Sequence, residues 1–289
     1  PFAVETMRMV GKYPGSEYDA DKCHFWPRHL RAAGYTTAQI GKWHTGSDTA
    51  YGRDWDFQAV WNRPGHPQDA GNYYGPQLIS FNGSSSVPVA GYSTDNYTDW
   101  AIDFIRGEGR DEGKPWYLWL CYGAVHGPFT PAERHMGEYA EAVVPVPADV
   151  YPPRPGKPEY IRKMEFWEPG NDGRPVERRA RETSPVGMQD IPGRPLCDWV
   201  RQYHEGVLAI DENVGRLLRA LRDSGQDADT LIVFTSDQGF AWGQHGFKSK
   251  VAPYDATVRA PLIIRPPGRV AEGSAGRVVR SPVSGVDLP

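Results

Sequence analysis

Three short strand-like runs, each closing on polar residues, constrain the fold more than any other feature of the sequence. TTAQIGKWH ends at Lys42 and His44, WYLWLCYGAVH ends at His126, and TLIVFTSDQG ends at Asp237 and Gln238. All three read as strands; WYLWLCYGAV is nearly all apolar, as for a strand buried on both faces, and TLIVFTSDQG reads as a buried strand. Helical stretches stand beside them: HFWPRHLRAAG closing at Gly34, YTDWAIDFIRG, and DWVRQYHEGVLAIDENVGRLLRALRDSG closing at Gly225. APLIIRPPG adds a strand stopped by its two prolines. Helices alternating with buried strands predict an α/β fold on a mainly parallel sheet.

At 289 residues the chain can hold one large domain or two small ones. A net charge of −4 gives no global field toward nucleic acid or anionic lipid, so neither is an expected partner. No apolar run approaches the roughly 20 residues that span a bilayer. Cys23, Cys121 and Cys197 form no CxxC pair, so neither a zinc site nor a disulfide scaffold is indicated, and Cys121 reads as a buried small hydrophobe. Residues 144–195 hold 11 of the 27 prolines and the run RPVERRARE, which predicts an irregular surface excursion, either a lid or rim or a solvated insert, with the basic ERRAR run a solvated face.

The polar strand ends carry the chemistry. In a strand, residues i and i+2 share a face, so Lys42 and His44 are expected side by side with Trp43 turned into the core. Ligands of open α/β sheets bind beyond the carboxyl ends of the strands. Those ends carry Lys42, His44, His126, Asp237 and Gln238, and the following GQHGFKSK adds His245, Lys248 and Lys250. One such residue alone is more often structural than functional; joint placement at three strand ends is what points to a site. Carboxylate and carboxamide oxygens suit a hard cation such as Ca²⁺ or Mg²⁺. Lysines and histidines would clamp a tetrahedral oxyanion, and an imidazole can protonate a leaving alcohol. The pattern suits metal-assisted cleavage of a sulfate or phosphate ester, with these groups converging on one cleft.

GYTTAQIGKWHTG, LWLCYGAVHGPF and DENVGRLLRALRDSGQDADTLIVFTSDQGFAWGQHGFKSKVAPYDATVRAPLIIRPPG together resemble the sulfatases of the alkaline phosphatase superfamily, in family order. The resemblance implies an alkaline phosphatase-like α/β/α sandwich with a mainly parallel central sheet. It implies hydrolysis of sulfate esters, with sulfated carbohydrate the expected substrate and a periplasmic or secreted location. It implies Asp237 and Gln238 as ligands of Ca²⁺, ahead of Mg²⁺, with Gln238 replacing the usual asparagine or histidine. Lys42 and Lys250 would bind the sulfate oxygens, His44 the hydrated formylglycine nucleophile, and His126 would protonate the leaving alcohol. His245 and Lys248 would touch substrate at the rim. The family's Cys/Ser-x-Pro-x-Arg motif, source of the formylglycine, falls in register with PFAVE, which has neither the Cys or Ser nor the Arg; with a small insertion Pro1 would instead be the motif's proline and the nucleophile would lie just before it. The expectation is therefore one sulfatase-like catalytic domain over 1–289, incomplete at both ends, interrupted by 144–195 and inactive by itself. Alternatives within the resemblance are a phosphonate monoester or phosphodiester hydrolase, and a non-catalytic sulfatase-like protein that binds glycans.

Overall fold

The structure, a computed structural model, describes residues 25–178, 191–250, 252–268 and 276–288. PFAVE, VGKYPG and Cys23 lie outside them. The chain divides into two compact units, Pro1–His126 with Ala209–Asp227 and Arg280–Pro289, and Gly127–Leu208 with Ala228–Val279.

The described part of the first unit opens with α1 (Trp26–Ala32), started by Pro27 in its first turn, and runs into β1 (Thr36–Trp43). β2 (Phe57–Asn62) lies parallel to β1, and β3 (Gln77–Phe81) and β4 (Val87–Val89) continue the sheet antiparallel. α2 (Ser93–Ile105) starts four residues before the predicted YTDWAIDFIRG stretch, and β5 (Trp116–Cys121) then pairs parallel with β1 on its other side. The order β4-β3-β2-β1-β5 puts the parallel strands together and an antiparallel extension at one edge. Ala38, Ile40, Ala59, Trp61 and Ile79 form an apolar sheet surface that Tyr97, Ala101 and Phe104 of α2 cover. β5 corrects the expectation of burial on both faces. Among the described residues it is the edge strand, Trp119 is 40% exposed, and Cys121 is only half-buried.

Gly41 explains how tightly β1 and β5 meet. Its φ is +103°, and a Cβ there would stand 2.0 Å from the Cys121 carbonyl oxygen. Gly41→Ala is expected to destabilise the protein by about 3 kcal/mol or more, since strain and backbone overlap add. A denaturant midpoint close to wild type would show instead that the two strands separate easily.

The second unit is less regular but not a solvated excursion. α3 (Glu159–Arg162) is followed by a hairpin of β6 (Trp167–Pro169) and β7 (Pro175–Glu177). Then come α4 (Leu196–Asp223), β8 (Ile232–Thr235), β9 (Ala241–Trp242), β10 (Lys248–Ser249), α5 (Asp255–Val258) and β11 (Leu262–Arg265). Phe129, Val150, Trp167, Leu196 and Trp199 make the core, so two of its members come from the stretch 144–195. Arg154, 2% exposed, donates to the carbonyls of Asp149, Val150, Ile161 and Met164 at 2.6–2.9 Å. Four carbonyl dipoles replace the water a buried guanidinium loses. The long helix was legible in full, and from Ala209 onward it belongs to the first unit, where Asn213 donates to Asp95 at 2.7 Å.

β8 corrects a second expectation of burial. It pairs antiparallel with β11 in a two-stranded ladder, and Val233, Phe234, Ile263 and Ile264 are all exposed. An apolar run is buried only where other layers cover it, and two strands alone cover neither face.

Candidate functional site

In the first unit the candidate residues follow the parallel strands β1 and β5. Lys42 pairs in register with Trp61 of β2, and its ammonium lies 5.7 Å from the centre of that indole. The buried Gln39 amide donates to the Lys42 carbonyl at 3.3 Å and fixes the end of the strand. Trp43 is buried as expected, its indole N–H donating to Gly46 O at 3.1 Å and Phe25 meeting it edge-on. β1 stops at Trp43, so His44 lies one residue past the ladder, half-buried. His126 follows β5 in a turn closed by its N–H on Gly123 O. The Tyr73 hydroxyl donates to the His126 carbonyl, and Tyr73 is itself buried and stacked on Tyr92. Sequence reasoning missed Trp61 and Tyr73 as supports, because nothing local marks a residue whose partner lies well away in sequence, and it missed Gln39, three residues before Lys42, because that residue read only as part of the strand.

A cavity of about 860 Å³ also lies in this unit, lined by Arg28, Arg31, Arg53 and Arg110. It sits by Thr36, at the opposite end of β1 from Lys42, and its charges are matched. Arg28 and Arg31 pair with Asp54 and Asp56, and Arg110 donates to the carbonyls of Phe104 and Ile105.

In the second unit Asp237 and Gln238 follow β8. The Ser236 hydroxyl donates to Gln238 O at 3.0 Å, and the next residue, Gly239, donates its N–H to Thr257 O. Asp237 is exposed and Gln238 half-buried. Both offer hard oxygen donors, but calcium takes about six to eight oxygens. Among the described residues no group of three or more His, Cys, Asp or Glu could hold a metal. These two side chains therefore do not make a calcium site by themselves.

The loop after β9 brings His245, Lys248 and Lys250. Asp149 grips His245 twice, accepting from its backbone N–H at 3.0 Å and meeting Nδ1 at 2.5 Å. The ring also faces Tyr254 at 4.2 Å. Burial pushes the Asp149 carboxyl up, but the bonds from the His245 backbone and ring outweigh it and hold the group below its ordinary 3.8. The folded value is the lower one, so the contact stabilises the loop above pH 3.8 and is lost as pH falls through that lowered value. A carboxyl NMR titration should show Asp149 with its midpoint below 3.8. A midpoint at or above 3.8 would mean the bonds to His245 do not form.

Lys248 departs from the rim position expected of it. It is buried, its ammonium 2.6 Å from Glu177 Oε1 and 4.0 Å from the centre of the Trp199 ring. A cation neutralised inside a core offers no charge to a substrate at a rim. Lys250, two residues on, is half-buried. Lys42, His44 and His126 thus belong to one unit, and Asp237, Gln238, His245, Lys248 and Lys250 to the other.

A family model described as Sulfatase matches residues 3–289. The N-acetylglucosamine-6-O-sulfatase of Bacteroides thetaiotaomicron is 31% identical over 303 residues, covering 91% of this chain and 52% of that protein. The uncharacterized sulfatase YidJ of Escherichia coli K12 is 29% identical, covering 90% of this chain and 50% of that protein. A solved structure of a protein in complex with its substrate D-glucosamine-2-N,6-O-disulfate superposes with a TM-score of 0.69 at 30% identity, over 87% of this chain and 57% of that one. The chain spans about half the length of the curated relatives it matches.

Proposed function

The chain belongs to the sulfatase family and has the alkaline phosphatase-like α/β fold, and from that premise we propose that the whole protein hydrolyses sulfate esters of carbohydrates. The observation that supports this most is the 31% identity, over 91% of the chain, to a protein named for removing a 6-O-sulfate from N-acetylglucosamine.

In this reading Lys42 and Lys250 hold the sulfate oxygens and neutralise charge as it moves onto them in the transition state. The Gln39 amide on the Lys42 carbonyl and the Trp61 ring beside its ammonium restrict where that lysine can reach. His44 orients the nucleophile, which a formylglycine supplies as a hydrated aldehyde when present. His126 gives its proton to the ester oxygen as the sulfur–oxygen bond breaks, so that an alcohol departs rather than an alkoxide. Asp237 and Gln238 would be two ligands of a larger calcium set, an ion that would draw negative charge from the reacting oxygens.

Release of inorganic sulfate by the whole protein is the direct test. The expected result is turnover of 6-O-sulfated N-acetylglucosamine or a related sulfated sugar well above that of a matched phosphonate monoester. A preference for the phosphonate would move the assignment to that branch of the superfamily. Binding of sulfated glycan without turnover, in protein shown to carry formylglycine, would remove the enzyme reading.

A further inference from the structure

We propose that Glu177 and Lys248 are positioning residues that fix the register of the loop carrying Lys250, and this rests on the reading of Lys250 as a sulfate ligand. The loop has little regular structure of its own. β9 and β10 are two residues each, paired Trp242 to Lys248 and Ser249 to Ala241. So short a ladder specifies register weakly, and a slip of one residue would carry Lys250 to the wrong face.

What specifies it is a charge. The side chains of Glu177 and Lys248 are each 2% exposed and meet at 2.6 Å. The second Glu177 oxygen accepts from the Trp199 indole N–H at 2.8 Å and from the Ile191 N–H at 3.3 Å. Lys248 completes the arrangement by lying over the Trp199 ring. A buried ion pair adds little net stability over an apolar pair of the same volume, because both charges lose their water. It discriminates strongly, however. In the slipped register Ser249 would face the Glu177 carboxylate, which would lose its contact with the Lys248 ammonium while both charges stay buried. The pair therefore selects one register out of several that an apolar contact would tolerate. The Trp167 indole N–H, bonded to Phe247 O at 3.1 Å, ties the same loop to the β6–β7 hairpin. The stretch 144–178 thus acts as a cradle for the loop.

The test separates positioning from stability. Glu177→Gln, Lys248→Met and the double variant Glu177→Gln/Lys248→Met are made in the whole protein. Amide exchange across 243–250, thermal midpoint and inhibition by inorganic sulfate are then measured. Both single variants are expected to lose thermal stability. The double variant is expected to recover it, because both buried charges are gone and an amide oxygen at 177 still accepts from the Trp199 indole N–H. Its loop amides should still exchange about tenfold faster than wild type, and its inhibition constant for sulfate should rise about tenfold, as misplacement of a binding group predicts. If the double variant recovers loop protection together with stability, the pair is structural only and the proposal falls. If the wild-type protein neither binds inorganic sulfate nor turns over a sulfate ester, the proposed function falls, and exchange in the double variant still decides whether the pair sets the register.

Discussion

Lys42→Ala or Lys250→Ala in the whole protein should lower kcat/KM for a sulfate ester by about 100- to 1,000-fold, roughly 3–4 kcal/mol. The size follows from what each ammonium would face, a group whose negative charge grows toward the transition state, where one missing donor is most costly. The effect should fall on kcat as well as KM, because the interaction strengthens as the ester breaks. The pair also makes a sharper test than either member. If both hold the same sulfate, their losses are not additive, and a double-mutant cycle should show coupling of about 1 kcal/mol or more. Strict additivity would mean that the two lysines, from separately described units, do not serve one group. Lys114→Ala is a suitable control, being an exposed lysine beside Asp111 and outside the proposed site.

His126→Ala should separate substrates by their leaving groups. For a sugar sulfate, whose alkoxide is a poor leaving group, removing the acid should slow turnover by about 100- to 10,000-fold. For 4-nitrophenyl sulfate the loss should be much smaller, since that phenolate departs without a proton. The substitution leaves the local backbone tie in place, because Tyr73 donates to the carbonyl of residue 126 and not to its ring. An equal loss on both substrates would point to a binding role for His126 and remove it as the acid.

Local periodicity showed the helices and the main strands, and burial was harder to read. β1 and the long helix α4 are legible directly in TTAQIGKW and in the apolar spacing of 196–224. Their signals are local, so one sequence suffices. WYLWLCYG and TLIVFTSDQG look alike as apolar runs and both read as buried, yet among the described residues β5 is an edge strand and β8 is exposed in a two-stranded ladder. How many neighbours a strand has is a property of the whole sheet, and the strand's own composition does not carry it. β2, β3 and β4 leave no comparable signal. β2 is a short parallel strand and β3 and β4 an antiparallel extension beside it, and no single run in 47–95 is long or apolar enough to stand out. The candidate residues themselves were legible as polar groups at strand ends. Their supports were not: Glu177 sits in a run that reads as a solvated basic face, and only the fold brings it to Lys248.

Arg154 has a consequence for how this lineage can change. Its guanidinium lies so close to Gly246 that a Cβ added there would stand 2.0 Å from one terminal nitrogen. Gly246 has a φ of +75°, which already disfavours other residues. The same guanidinium satisfies four carbonyls, so a shorter residue at 154 would leave them bare. Neither position can drift alone. Descendant sequences should therefore keep arginine and glycine together, or replace both together with a rebuilt 149–164 turn, and the two columns of an alignment should covary although 92 positions separate them.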